Sequence, residues 1–250
     1  SYNYVSWNWK ANGSGSANTD GNMAETVTVS ANTDAGFSIV TYTGDGSAAT
    51  VGHGLSKAPE WIYIKRRSGA DSWRLYHKDI GLNGSYPNFM QSDLTNAVNS
   101  GDSGNFTAAP SATVFSIGDY SVVNSDDETY IAYCFHSVDG YSKVGSYTGN
   151  GVVDGTFVYT GFRPAFILLK QSTAAQDWQI YDVKRSTTNL IDDAIYPNTS
   201  GAEATANYLN MDIVSNGFKL RIANGANNVN NGTYIYLAFA ESPFKYSNAR

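Results

Sequence analysis

The stretch Tyr42-Thr43-Gly44-Asp45-Gly46 recurs later in the chain as Tyr147-Thr148-Gly149-Asn150-Gly151. Outward from both copies, the same residue types follow at one constant offset of about 105 residues. They are a proline, a lysine that ends an apolar run, a tryptophan and a tyrosine: Pro59, Lys65, Trp73 and Tyr76, then Pro164, Lys170, Trp178 and Tyr181. Self-similarity at a fixed period is typical of repeated structural units. The sequence therefore predicts two tandem units, and we expect Trp73 and Trp178 to fill their cores.

Short runs rich in β-branched and aromatic residues, bounded by Gly, Asn, Asp or Pro, follow one another through both copies. Such runs predict β-strands, and no amphipathic helix of useful length interrupts them. We expect an all-β chain of two tandem β-sandwich, jelly-roll-like units, at residues 36–139 and 140–250. The expected strands are 37–43, 48–55, 60–67, 72–77, 112–118 and 128–136, then 141–147, 156–160, 165–170, 177–182, 212–222 and 233–240. The segments 82–98 and 187–209 lack clean alternation and are expected to hold a helical turn or a long loop.

Residues 1–35 are predicted to form an extra N-terminal strand and a linker rich in Gly, Ser and Asn. The strand would cover residues 4–9, whose pattern matches the strands that close both copies. The chain starts inside this pattern without an initiator methionine, so we expect a fragment or a processed product. A lone strand with exposed tryptophans invites aggregation. We therefore predict that it pairs with a missing upstream unit or another copy, through Tyr4, Val5, Trp7 and Trp9.

The composition favours a folded chain with an uncharged polar surface. Charged residues make up only 15% of the chain and aromatic residues 14%, so surface polarity must come from Asn, Ser, Thr, Gly and Tyr. The formal net charge of −6 disfavours nucleic acids and anionic membranes as partners. No apolar run approaches membrane-spanning length, so we expect no membrane insertion. The single cysteine, Cys134, excludes an intrachain disulfide and is expected to be a buried apolar residue.

Candidate catalytic groups are present but lack a motif. The three histidines have no histidine counterpart in the other copy, and no Gly-x-Ser-x-Gly elbow accompanies them. The carboxylate clusters Asp126-Asp127-Glu128 and Asp192-Asp193 are candidates for glycoside hydrolysis, although turn chemistry explains sequence neighbours of this kind better. We expect structural roles for His53, His77 and His136 and predict no catalytic residue.

Metal and cofactor signals are weak. Zinc needs clustered Cys and His, which the sequence lacks. The segments 99–105 and 124–127 carry oxygen-bearing side chains that suit calcium, but neither has the spacing of an EF-hand loop. Calcium bound in one of these loops stays an open alternative. No metal or cofactor is predicted.

Carbohydrate binding is the activity that the residues favour most. Sugars bind to aromatic rings flanked by a few polar groups. Residues that alternate with the repeated tryptophans share one strand face and combine an aromatic ring with a polar side chain. The glycan-binding candidates are therefore Arg74, Tyr76, Gln179 and Tyr181, although packing against a second surface explains the tyrosines better.

The runs Tyr141–Gly151, Phe157–Phe166, Ser215–Lys219 and Leu237–Lys245 resemble an uncharacterised tandem-repeat domain of structural proteins of marine tailed phages. These proteins are often of the long tail-fibre type. The first copy is similar in Gly52–Leu55, Ala58-Pro59 and Trp61-Ile62, and Val5–Lys10 is similar to the strand that precedes such repeats. The resemblance covers residues 36 to 245 and offers no catalytic residue. It implies a virion component, host-facing and oligomeric.

Together these observations predict a non-enzymatic virion structural protein, a tail-fibre or spike adhesin region that contacts the host surface through glycans. A homotrimer is expected by analogy with tail fibres, with other virion proteins and a host receptor as further partners. Two alternatives stay open. One is a self-assembling scaffold, such as a capsid decoration or fibre shaft, and the other is a glycan-cleaving enzyme.

Overall fold

The computed structural model describes residues 4–186, 188–205 and 209–243. These residues form strands almost throughout, with one four-residue helix, so the fold is all-β as predicted. In chain order the elements are β1 (Ser16–Asn18), β2 (Val27–Asn32), β3 (Phe37–Thr43), β4 (Ala49–Gly52), β5 (Trp61–Arg66), β6 (Arg74–His77), β7 (Leu82–Asn83), β8 (Tyr86–Pro87), β9 (Met90–Gln91), β10 (Phe106–Ala108), β11 (Val114–Ile117), α1 (Ser121–Asn124), β12 (Thr129–Phe135), β13 (Ser142–Thr148), β14 (Phe157–Tyr159), β15 (Pro164–Gln171), β16 (Gln179–Asp182), β17 (Asp193–Ala194), β18 (Ala204–Thr205), β19 (Met211–Val214), β20 (Gly217–Leu220) and β21 (Thr233–Ala240).

Two antiparallel sandwiches account for most of these strands. In the first sandwich, a large sheet of order β1-β2-β3-β12-β5-β6-β9 packs on a small sheet of order β10-β11-β4. In the second, a large sheet of order β13-β21-β15-β16 packs on a small sheet of order β14-β20-β19. Strands at matching sequence positions thus pair in the same order. Two copies of one unit would give this order; the duplication itself stays a prediction.

Matching side chains make matching contacts in the two sandwiches. Tyr42 stacks on Tyr130 with ring centroids 5.2 Å apart, and Tyr147 stacks on Tyr234 at 4.9 Å. The hydroxyls of Tyr42 and Tyr147 each donate to a buried backbone carbonyl. The acceptor is Val123 O in the first sandwich and Asn227 O in the second. Buried asparagines tie down the Tyr-Thr-Gly-x-Gly turns, because Asn124 and Asn228 each accept a backbone N–H of the turn at 3.0 Å. These repeated features therefore serve architecture.

The two large sheets also face each other and enclose a third hydrophobic core. This core brings together residues from both sandwiches, such as Phe37, Trp61, Trp178 and Leu237. The indole rings of Trp61 and Trp178 meet edge to face with centroids 6.0 Å apart. From the sequence, Trp73 was expected to fill the core of the first unit and Trp178 that of the second. This expectation was wrong: Trp178 lies in the shared core, and Trp73 is half-buried at its margin.

Residues 4–11 form no strand, so the predicted N-terminal strand over residues 4–9 is wrong. Trp9 instead packs its ring near Phe166 and Phe239, with centroids 5.7 and 5.3 Å away. The Trp7 indole N–H donates to Asp182 (2.9 Å). An aromatic groove between two sheets buries these rings without backbone pairing, and this explains the difference. Pairing with another copy stays a prediction, and Tyr4 is 90% exposed.

Each strand predicted for the two copies is matched by a strand of the structure, whereas β1, β10 and the two-residue strands were not predicted. β3 and β21 have the predicted bounds, and the predicted strand 212–222 is the hairpin of β19 and β20. Residues 27–32 form β2, which with β1 extends the first large sheet. The irregular segments hold the two-residue strands β7, β8, β9, β17 and β18. Residues 187 and 206–208 of the second irregular segment lie outside the described residues.

Candidate functional site

Of the two residues of the first sandwich that were predicted to bind a glycan, Tyr76 is buried and Arg74 is half-buried. Tyr76 is buried in the core between the two sheets. The Arg74 guanidinium lies over the Phe89 ring, 4.8 Å from its centroid, and Arg74 Nε donates to Asn105 (2.9 Å). Burial raises the pKa of Tyr76 to about 12 and lowers that of Arg74. Neither side chain lines the cleft described below.

Their counterparts in the second sandwich are buried as well. Gln179 and Tyr181 are each 1% exposed, and the Tyr181 hydroxyl donates to the Gln179 side chain (2.6 Å). The amide of Asn227 donates to the same hydroxyl (2.7 Å). The sequence correctly predicted which of these residues share a strand face. However, the face that carries the polar and aromatic candidates is the one that the small sheets cover. The accessible face is the opposite one.

That opposite face borders the inter-sheet cleft, a concavity of about 670 Å³ between the two large sheets. Its floor belongs to the shared core and is buried, whereas its rim is partly open to solvent. Most of the lining is aromatic: Trp7, Trp9, Phe37, Tyr63, Trp73, Tyr133, Phe135, Phe166 and Trp178. Aliphatic residues and a proline complete the apolar part: Ile39, Leu168, Ile180, Pro197 and Leu237. The polar residues are Asn8, Ser92 and Asp93.

One wall of the inter-sheet cleft is a cluster of three half-buried aromatic rings. Tyr63 and Tyr133 are directly opposite each other on β5 and β12, so strand register places both on the cleft face. Trp73 stacks on Tyr133 (centroids 6.2 Å apart, planes at 25°) and meets Tyr63 edge to face (6.1 Å, 82°). Burial raises the pKa of Tyr63. The three rings support one another and form a rigid apolar surface at the cleft rim.

The segment after β9 hydrogen-bonds to the backbone of Trp73 and so fixes the position of this residue. The Trp73 N–H donates to Asp93 Oδ1 (3.1 Å), and the Ser92 N–H donates to the Trp73 carbonyl (3.4 Å). Among the described residues, none hydrogen-bonds to the Trp73 indole N–H or the Tyr133 hydroxyl. These two groups, with the second oxygen of Asp93, are free to bind a ligand beside an aromatic surface.

Sequence reasoning missed Tyr63 and Tyr133. A difference between the two copies could have revealed them. Tyr63 corresponds to Leu168 in the second copy, and Tyr133 corresponds to Leu237. A position that is aromatic in one copy and aliphatic in the other is apolar in both, but it differs in its capacity to stack on a ligand. Trp73 was noticed, but as a core residue.

The other candidate residues lie away from the cleft lining. All three histidines are buried. Asp127 lies in the turn before β12, where its N–H donates to Gly44 O (3.1 Å). Asp193 accepts from the hydroxyls of Ser186 and Thr205 within its own hairpin region. These contacts give the groups structural roles.

Two buried groups of potential chemical interest also have local structural roles. Cys134 is buried as predicted, and burial raises the pKa of its thiol to about 12. Burial lowers the pKa of Lys170 to about 8, and its ammonium donates to the carbonyls of Gln171 and Ala174. Lys65 likewise donates to the Gly69 carbonyl (3.2 Å). Both lysines therefore close the loop that follows their strand.

The loops considered for calcium are filled by hydrogen bonds. Asp102 Oδ1 accepts three of them, from Gly104 N and from both nitrogens of Asn105. The Asn124 side chain is bonded to Asp45 and Ser47. Within the described ranges, no group of three or more His, Cys, Asp or Glu side chains could hold a metal ion. The part of the chain that the structure describes also contains no helix long and apolar enough to cross a membrane.

Comparison with known proteins identifies a family. A family model described as a domain of unknown function (DUF7483) matches residues 1–243, almost the entire chain. No curated protein matches the chain, and no solved structure does. The chain therefore belongs to the DUF7483 family of domains of unknown function.

Proposed function

We propose that this protein is a non-enzymatic binding module and that its inter-sheet cleft holds a glycan. The observation that carries the proposal is the wall formed by Tyr63, Trp73 and Tyr133, with the polar side chains of Ser92 and Asp93 beside it. Sugar rings have apolar faces that stack on such surfaces, and their hydroxyls hydrogen-bond to a few placed polar groups.

The size and chemistry of the cleft support a saccharide ligand. A volume of about 670 Å³ lies within the usual range of small-molecule sites, roughly 300–1,000 Å³. Stacked rings at the rim bind a ligand at little cost in side-chain entropy, because Trp and Tyr have only two side-chain torsions. The cleft is open along its rim, which suits a segment of a longer glycan chain.

The biological setting that we propose is a virion, with the module in a tail-fibre or spike region that contacts the host surface. It rests on the sequence resemblance to structural proteins of tailed phages. A homo-oligomer, expected as a trimer, would present several clefts at once. Weak individual contacts then combine into strong attachment through multivalency.

A glycan array with the full chain tests the binding proposal. We expect saturable binding that the Trp73→Ala variant weakens about tenfold, because the largest stacking surface is lost. Tyr120→Ala is the matched control, since Tyr120 is exposed but lies outside the cleft lining. Equal binding by wild type and Trp73→Ala would place the ligand elsewhere, and no binding to any glycan would reject the proposal.

A second candidate function, a self-assembling scaffold, is favoured by an exposed apolar patch at the edge of the second small sheet. Val152, Val153, Phe157 and Tyr159 are between 46 and 64% exposed. The last two lie on β14, an edge strand. In the first sandwich the matching edge strand, β4, is covered, because Asn22 N–H donates to Thr50 O (3.1 Å). Uncovered edges of this kind favour strand pairing between chains.

Light scattering on size-fractionated protein tests the scaffold function. If the scaffold function is correct, Tyr159→Asp should reduce the mass of the assembly, because a charge on the edge opposes pairing. The control, Tyr120→Asp, places the same charge on an exposed tyrosine elsewhere. An unchanged mass in both variants would exclude this edge as an assembly contact.

A further inference from the structure

We propose that Asp93 makes the inter-sheet cleft selective for amine-bearing sugars and against acidic ones, a proposal that rests on the glycan-binding function above. Asp93 is half-buried and lines the cleft beside Trp73. It is the only charged side chain among the described residues that line the cleft. Its charge therefore sets the preference of the site.

The position of the carboxylate leaves one oxygen for a ligand. Oδ1 accepts the Trp73 backbone N–H at 3.1 Å, and no described residue hydrogen-bonds to Oδ2. An ammonium group on a sugar stacked against Trp73 gains from this carboxylate and from the electron-rich ring face. A uronate or other acidic sugar brings a second negative charge to the same place and is repelled.

The second sandwich shows that the backbone contact does not require a charge. There the corresponding residue is Asn198, whose Oδ1 accepts the Trp178 backbone N–H at 3.0 Å. The same strand-to-loop contact is thus made by a neutral amide. The negative charge at Asp93 must be explained by something other than this hydrogen bond.

A rival role for the charge is to balance Arg74, whose pKa Asp93, Asp102 and Asp71 all tend to raise. Asp93 forms no ion pair with Arg74 within 4.0 Å, and the guanidinium bonds to Asn105 instead. If balancing were its role, loss of the charge would lower stability and leave ligand preference unchanged. The two roles therefore predict different readouts.

Calorimetric titration of the full chain with three hexasaccharides tests the proposal: β-linked glucosamine, its N-acetylated form and galacturonate. Acetylation removes the charge of the amine and adds an acetyl group, and the Asp93→Asn variant separates these two effects. Wild type should bind the glucosamine hexamer about fivefold more tightly than the acetylated one, the gain expected of a partly exposed ion pair. The galacturonate hexamer should bind most weakly, and added salt should reduce all these differences.

Asp93→Asn is the matched variant, because Asn198 already demonstrates that asparagine keeps the backbone contact. It should abolish the preference for the amine, retain binding of the acetylated hexamer and keep the wild-type melting temperature. An unchanged preference in Asp93→Asn, or tighter binding of galacturonate by wild type, would overturn the selectivity while leaving glycan binding intact. Failure of all three hexamers to bind would reject both proposals.

Discussion

Asn228 is fully buried and holds the second Tyr-Thr-Gly-x-Gly turn in place through hydrogen bonds on both ends of its amide. Its Oδ1 accepts the Asn150 N–H (3.0 Å), and its Nδ2 donates to Val152 O (2.9 Å). Asn228→Ala removes the hydrogen bonds that this buried amide makes to part-buried backbone groups, so we expect the free energy of unfolding to fall by about 2 kcal/mol. Chemical denaturation measures it.

The neighbouring Asn230 supplies the control, because it is exposed. Asn230→Ala should change the free energy of unfolding by less than about 0.5 kcal/mol. Equal effects of the two substitutions would show that the buried amide is not what stabilises the turn.

His77 gives the molecule a pH-dependent stability. Burial, helped by Lys78 and opposed by Glu60, lowers the pKa of His77 from 6.5 to about 3. The folded chain keeps this imidazole neutral, whereas the unfolded chain binds a proton once the pH falls below 6.5. The stability contributed by the neutral ring is therefore complete above pH 6.5 and is lost progressively as the pH falls toward 3.

The comparison of wild type with His77→Gln isolates this effect from the titration of the carboxylates. As the pH is lowered from 6.5 toward 3, the free energy of unfolding of wild type should fall relative to that of the variant. The expected slope is about 1.4 kcal/mol per pH unit, the value for the uptake of one proton. Urea denaturation at a series of pH values provides the measurement. Parallel stability curves for the two proteins would contradict the prediction.

At the scale of single residues, the burial of Cys134 was predictable, because β12 alternates clearly. Strand position alone was not enough for Gln179 and Tyr181, which lie inside β16 but are buried on the face where a glycan site was expected. The burial of His136 was not predictable, because it lies just beyond the strand end, where sequence gives no sign of the contact that covers it. The role of Asp93 was likewise invisible, because its partner Trp73 is 20 residues away.

Among the elements, the N-terminal segment, residues 4–11, is attached without pairing to a strand. Trp9 has its ring centroid 6.3 Å from that of Phe135 and 5.3 Å from that of Phe239, so it bridges both sandwiches. Trp9→Ala should lower the free energy of unfolding by about 2 kcal/mol, because a partly buried aromatic ring is removed. Tyr4→Ala should have no effect, since Tyr4 projects into solvent. Denaturation monitored by near-ultraviolet circular dichroism compares the two, and equal stabilities would show that the segment is not docked in solution.

Strand bounds were predicted most closely where one periodicity extends over seven or more residues. β3 and β21 are long, rich in β-branched and aromatic residues, and bounded by clear turn residues. Two-residue strands such as β7 and β17 carry no periodicity, so only tertiary contacts define them. Residues 4–9 show the opposite error. Their alternation matches a strand, but their tryptophans are buried by a groove that sequence alone does not reveal.

For the whole molecule, the shared core should make the two sandwiches unfold together. Ile235 is fully buried in that core, on the central strand β21. Calorimetry of wild type should give one transition with equal calorimetric and van't Hoff enthalpies. Ile235→Asp places an unpaired charge between the large sheets, and we expect two separate transitions.

Met211→Ala is the control for this experiment, because Met211 is buried in the core of the second sandwich. It should lower the melting temperature of a single transition. Two transitions in wild type itself would show that the shared core does not couple the sandwiches.

The sandwich class was predictable from strand pattern, but the packing of one sandwich on the other was not. β15 and β21 are buried on both faces and read as continuous apolar runs. Such runs indicate a covered second face without indicating what covers it. The cleft lies at the margin of this packing, so its location could not be derived from sequence. The chemistry of the site was partly predictable, since stacking aromatic residues were expected, though on the other face.

Trp9 and Phe239 lie near opposite ends of the polypeptide, yet their rings touch. Segments near the start and near the end of the chain therefore meet at one place on the folded domain. In a longer polypeptide, both flanking segments would join this module at that place. A force applied to the two flanking segments would act first on the contact between Trp9 and Phe239, before it reached the sheets.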